Sequence, residues 1–215
     1  TNDYNVALTA AVLAHHDAAY TKTWLEGLKG NLARKPDGGD RDQVKAIWAG
    51  ECDIALGNTY YLGQMLADPE QKAWADSVTI VYPTFEAGGT HLNISGVAMT
   101  KSAPNKDNAL KFMEWLSGDT AQKIYAETNY EFPVKAGVER SDLVKSWGEF
   151  TPDATPLADI ANARAGMHRA GSGPCDQGRM AIMASISTTA PSGSTGTPTA
   201  LRAWRNGRRR GLKIP

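Results

Sequence analysis

The chain has 215 residues, the size of one large domain or two small ones. It carries 23 Lys+Arg against 23 Asp+Glu, a formal net charge of zero, which excludes a wholly basic nucleic-acid binder and a wholly acidic disordered protein. Two cysteines, Cys52 and Cys175, make neither a disulfide framework nor a thiolate zinc site by themselves.

The first predicted element is a helix over 5–16, NVALTAAVLAHH, with Val6, Ala10, Val12 and Leu13 roughly on one face. Asp17 is placed to cap a second helix through Trp24, Leu25 and Leu28, ending near Gly30. The Pro and Gly of RKPDGGD (34–40) predict a loop. Asp40 then reads as the solvated cap of a short helix, with Val44, Ile47 and Trp48 on its apolar face and Gly50 as its stop. CDIAL (52–56) predicts a short buried strand, and Asn58 a cap for TYYLGQMLA. VTIVY (78–82) predicts another strand, ended by Pro83, and 90–100, THLNISGVAMT, is extended in character.

Asn105 opens a longer helix with Ala109, Leu110, Met113 and Leu116 at helical spacing. Asp119 caps another, with Ala121, Ile124 and Tyr125 turned inward. A loop over 129–138, a short helix near 141–147 and a last helix over 157–165 complete the periodic part. Helices alternating with short strands predict an α/β fold with a sheet covered on both faces. No apolar run approaches the roughly 20 residues that span a bilayer, and the opening TNDYNVALTA is not expected to be a signal peptide.

After Ala165 the character changes. Residues 1–165 hold 15 basic and 22 acidic side chains, a net of −7, whereas 166–215 hold eight basic residues and one acid, Asp176, a net of +7. A Ser/Thr/Gly/Pro stretch from Ser185 to Thr199 leads into Arg202, Arg205, Arg208, Arg209 and Arg210. So polar a segment buries too little apolar surface to offset the entropy of ordering it, and 166–215 is expected to be a disordered or foreign basic tail. The chain thus divides into 1–82, 83–165 and 166–215.

The chemistry concentrates at Tyr60 and Tyr61 in GNTYYLG, at a predicted strand-to-helix turn, where open α/β sheets favour ligands. Successive helical residues point about 100° apart, so two phenols reach one point only near a helix terminus. Deprotonated phenol oxygens are hard donors suited to a hard, highly charged cation such as Fe(III). Free tyrosine titrates near 10, so the cation itself must supply the field that removes the proton. The same spacing also fits two half-buried packing aromatics, one turned in and one out.

The run DIALGNTYYLGQMLADPEQKAWADSVTIVYPTFEAGGTHLNISGVAMTKSAPNKDNALKFMEWLSGDTAQKIYAETNYEFPV resembles the periplasmic ferric-ion-binding proteins of bacterial ABC transporters. TNDYNVALTAAVLAHH and NLARKPDGGDRDQVKAIWAGECDIALG extend the resemblance over roughly 1–165. It implies a type II periplasmic-binding-protein fold of two α/β lobes, here incomplete and lacking most of the first lobe. It implies capture of Fe(3+) in the interlobe cleft, delivery to an inner-membrane ABC permease, and a periplasmic location. Tyr60 and Tyr61 match the family's adjacent tyrosine ligands, and Tyr4 matches a third tyrosine used by one branch. Asn58 matches a position that can hydrogen-bond an anion, such as carbonate, completing the coordination shell; a plain helix cap fits it equally.

The resemblance further implies that 79–130 returns to the absent lobe, leaving Leu110, Met113, Leu116 and Ile124 without their packing partner and iron binding weakened. For the tail it leaves a frameshift or a fusion to a downstream permease open.

The remaining titratable residues suggest structural duties. His15 and His16 end a helix, where a cationic ring is favoured by the dipole, His91 suits packing or hydrogen bonding, and Cys52 an inert core thiol. Glu51, Asp53 and Glu86 lack the paired spacing of acid/base work, and no GxSxG, HExxH or P-loop occurs, so an enzyme is not expected. The alternative to a ferric-ion receptor is a basic-tail protein in which Arg202–Arg210 contacts nucleic acid or anionic membrane by charge alone, without specific nucleic-acid recognition.

Overall fold

In the computed structural model, residues 3–86 and 88–170 and a short strand at 185–186 are described. The expectations for Ser187–Thr199, for Cys175 and for the arginine run 202–210 lie outside the described residues.

Helix α1 (Asp3–His15) forms as expected. Its buried residues are Thr9, Ala10, Ala11 and Val12, successive positions that cover most of the helix circumference rather than one stripe. The small alanines let α9 (Leu157–Ala170) approach closely, and Ala10, Ala11 and Ile160 close a core flanked by Phe85 and Ala163. Arg164 reaches Asp3 at 2.7 Å across the same pair of helices. Helix α9 runs on to Ala170, beyond the predicted end at 165.

Asp17 caps α2 (Ala18–Gly30), its carboxylate accepting from the Tyr20 amide at 2.7 Å. Helix α3 (Asp40–Trp48) begins one residue earlier than a cap at Asp40 would allow. The cap position is Gly39, and Asp42 reaches back to accept from its amide at 2.7 Å. An acid three residues past the cap satisfies that orphan donor, which leaves Asp40 free for other partners. Gly50, with φ +74°, turns the chain out of α3 in a left-handed conformation that costs other residues more.

Helices α4 (Thr59–Ala67) and α5 (Lys72–Ala75) pack with α3 around Val44, Leu62, Met65 and Ala75. Leu66, Trp74, Val78, Ile80 and Trp147 border that core. Trp48, expected on the inner face of α3, is 52% exposed and leans toward Trp74 at 6.4 Å between ring centroids.

Gly63 on α4 is where the Tyr130 side chain lies against the helix; a β-carbon there would fall well inside contact distance of the ring. Tyr130 itself sits at φ +59°, so it has little freedom to retreat. Gly63→Ala is therefore expected to lower stability by about 1–3 kcal/mol through overpacking, read as a lower urea midpoint; an unchanged midpoint would show that Tyr130 moves away without penalty.

The predicted sheet is the main departure. Residues 52–56 form no strand, VTIVY contributes only β1 (Thr79–Ile80), and the one sheet among the described residues is its antiparallel pairing with β2 (Ser185–Ile186). A strand needs a neighbour to receive its amides and carbonyls, and no described extended segment runs beside CDIAL. Its residues settle individually: Ala55 is buried, Ile54 is 45% exposed, and Cys52 is half-buried.

Residues 90–100 are extended without a ladder, apart from an isolated bridge between Thr90 and Pro152. Helix α6 (Lys106–Leu116) follows Asn105 as expected but buries no residue fully; Leu110, Phe112 and Trp115 are about half exposed. On α7 (Asp119–Thr128) the inward residues are Ala121, Gln122 and Ala126, while Ile124 faces out at 49% exposure. Gln122 is drawn in by polar partners: its amide donates to the Leu116 carbonyl and accepts from the Val134 amide. Helix α8 (Asp142–Ser146) is capped by the Ser141 hydroxyl and buries Val144 completely.

His15 is a tertiary tie rather than a helix-end charge. Its Nε2 lies 2.9 Å from both Asp153 Oδ2 and the Thr155 hydroxyl, and its ring stacks on Phe85 at 3.9 Å. Burial pushes the Asp153 carboxyl up, but hydrogen bonds from His15 and Thr155 outweigh it and hold the group below the usual carboxylate range.

Candidate metal centre

Two elements bring the predicted tyrosines together. Tyr4 stands in the first turn of α1, and Tyr60 and Tyr61 are the second and third residues of α4. The position at a helix start matters, because there the two neighbouring rings can lie over one another: Tyr60 and Tyr61 have centroids 4.3 Å apart and planes tilted by 33°. Tyr61 bears on both neighbouring phenols, raising Tyr4 and Tyr60 above the ordinary tyrosine value. All three side chains are partly exposed, neither sealed in an apolar interior nor splayed to opposite sides.

Asp40 is the residue at this site that the sequence reading missed. It is 7% exposed and belongs to no solvated cap. Its Oδ2 accepts from the Tyr4 hydroxyl at 3.1 Å, and its Oδ1 accepts from the Asn58 amide at 3.1 Å. The legible signal was GGDRDQ: Asp42, three residues after Gly39, is the better cap partner and frees Asp40.

Asn58 occupies the cap position of α4 without a side-chain cap hydrogen bond. Its Oδ1 instead accepts from the Asn93 amide at 2.9 Å, which ties the extended 90–100 segment to the start of α4. Asn93 in turn lies 3.3 Å from His91 Nε2. Burial holds His91 below the usual imidazole range, outweighing the contacts that favour its cation. Arg41 borders the site, its guanidinium 5.8 Å from the Tyr61 ring centroid and held by Gln64 at 2.7 Å.

The electrostatics keep Tyr4 and Tyr60 protonated. Burial is the largest influence raising Tyr4 above the ordinary tyrosine value, reinforced by the Asp40 charge and then by Tyr61. Burial likewise raises Tyr60, followed by its hydrogen bond to Tyr61. Burial also pushes Asp40 up, more than the hydrogen bonds from Asn58 and Tyr4 pull it down. Tyr4, Tyr60 and Asp40 therefore share one spot where negative charge is poorly tolerated. Among the described residues no group of three His, Cys, Asp or Glu side chains is placed to hold a metal ion.

The profile of the bacterial extracellular solute-binding protein family matches residues 17–152. Iron uptake protein A1 of Synechocystis sp. (strain ATCC 27184 / PCC 6803 / Kazusa) is 43% identical over 167 residues, covering 77% of this chain and 46% of the relative. Among solved structures, the apo ferric ion-binding protein A of Pasteurella haemolytica superposes with a TM-score of 0.75 at 54% identity, over 79% of this chain and 53% of the other. A Trichodesmium protein in complex with iron and citrate ligands gives 0.69 at 41% identity, over 79% and 56%. The chain thus spans about half the length of the relatives it matches.

Proposed function

Because the chain belongs to the bacterial extracellular solute-binding proteins, carrying part of their type II periplasmic-binding-protein fold, we propose that it binds ferric iron through Tyr4, Tyr60 and Tyr61. In this reading it works in the periplasm and passes the ion to the permease of an ABC importer. The observation that carries the reading is the close Tyr60–Tyr61 ring pair at the start of α4, with Tyr4 of α1 held on Asp40, whose other oxygen takes the Asn58 amide just before α4.

Phenolate oxygens suit a hard trivalent ion, and a bound cation inverts the local cost of ionising them. Asn58 lies beside the site, tied to Asp40 and Asn93, where it would contact an anion such as carbonate or citrate sharing the ion. Three tyrosines leave room in the coordination sphere for such an anion. The relatives support the cargo: their names specify iron uptake and ferric-ion binding.

Since Tyr4 and Tyr60 are held protonated by burial, capture must expel their protons. Raised phenol values mean stronger competition from protons, so affinity rises as pH rises. Calorimetric titration with chelated ferric iron, repeated in buffers of different ionisation enthalpy, is expected to release roughly three protons per ion after correction for the chelate. Binding that is independent of pH and releases no protons would contradict the phenolate reading.

A further inference from the structure

We propose that Asp40 is the positioning residue of this site, holding the Tyr4 phenol against the Tyr60–Tyr61 pair and binding α1, α3 and the opening of α4 into one unit. The functional meaning of this role rests on the ferric-iron reading above.

Three observations carry it. First, Asp40 has no duty in its own helix, because Gly39 is the cap and Asp42 satisfies it. Second, each carboxylate oxygen is spent on a different element: Oδ2 on Tyr4 in α1, Oδ1 on the Asn58 amide just before α4. Those elements are 36 and 18 residues away in the chain, so the carboxylate fixes relative positions that no local turn could fix. Third, a carboxylate 7% exposed is expected to face a cation, yet among the described residues no Lys, Arg or His pairs with it. A buried acid that leans on a phenol rather than on a basic side chain is arranged for a positive charge brought from outside.

As an outer-shell partner, Asp40 sets where the Tyr4 oxygen stands, and such partners change metal affinity by about 10–100-fold when removed. The test uses the full 215-residue chain with Asp40→Ala, Asp40→Asn, Tyr4→Phe and the double variant Asp40→Ala/Tyr4→Phe. Each is titrated with ferric nitrilotriacetate while the visible tyrosinate-to-iron band is followed. Asp40→Ala is expected to weaken binding about 10–100-fold and to lower the band per bound iron to the level of Tyr4→Phe. The double variant should then be no worse than Tyr4→Phe alone, since the two residues act as a pair. Asp40→Asn keeps the shape and one acceptor oxygen, and should retain part of the band; it carries the test if the alanine variant does not fold.

An undiminished band in Asp40→Ala, or losses that simply add in the double variant, would overturn the assignment while leaving the ferric reading intact. A wild-type chain with no ferric band would instead overturn the ferric reading. The tie itself is then judged by urea unfolding of the same variants without metal: less-than-additive losses uphold it and additive losses refute it.

Discussion

Replacing Tyr60 and Tyr61 together by phenylalanine is expected to abolish the visible charge-transfer band of the ferric-loaded protein. The same change should weaken iron binding by more than the roughly 10–100-fold typical of outer-shell substitutions. The rings would still stack at the start of α4, so the fold loses little; the phenol oxygens alone are removed. Near-wild-type circular dichroism with the band gone is the expected pair of readings. A double variant that keeps the band would mean that the oxygens of Tyr60 and Tyr61 are not donors.

Truncating Met65 to alanine is expected to remove about 2–5 kcal/mol of stability. Met65 is fully buried, in the core that Val44, Leu62 and Ala75 share between α3, α4 and α5. Domains of ordinary size are stable by only about 5–15 kcal/mol, so this single change could consume much of the total. The same helix presents Tyr60 and Tyr61, and loosening it should also blur the tyrosine geometry. Chemical denaturation measures the first effect; a loss below about 1 kcal/mol would show that the α3–α4–α5 core repacks around the gap.

The helices were legible in the sequence because their signals are local. Asp17, Ser141 and Gly50 punctuate the chain where the structure turns, and apolar spacing located α1 to α4 and α6 to α9. The sheet was not legible in the same way. A strand is a property of two segments, and CDIAL and VTIVY specify only one side of each pairing. The match covers about half of each relative, and α6 and α7 turn Leu110, Phe112, Trp115 and Ile124 outward. Such a face is larger than scattered surface apolar residues account for.

At the site, donor chemistry and the family's motif both pointed to Tyr60 and Tyr61 in GNTYYLG, and the family's motif alone to Tyr4 in NDYN. Asp40 was hidden because its partners are distant in sequence and its local context imitates a helix cap. His15 was hidden for the same reason: its position at a helix end suggested a dipole interaction, whereas Asp153, 138 residues away, engages it. Local sequence rules describe what a residue does for its own helix; they are silent on a side chain whose own helix has no need of it.

The phenol oxygens of Tyr4, Tyr60 and Tyr61 are proposed to act together on one trivalent ion, and absorbance titration of the 215-residue chain with ferric nitrilotriacetate near neutral pH tests this. A visible tyrosinate-to-iron band is expected that saturates at one ferric ion per chain and shrinks stepwise as each tyrosine is changed to phenylalanine. A chain that binds ferric iron without such a band, or that develops none at any ratio of iron to protein, would contradict it.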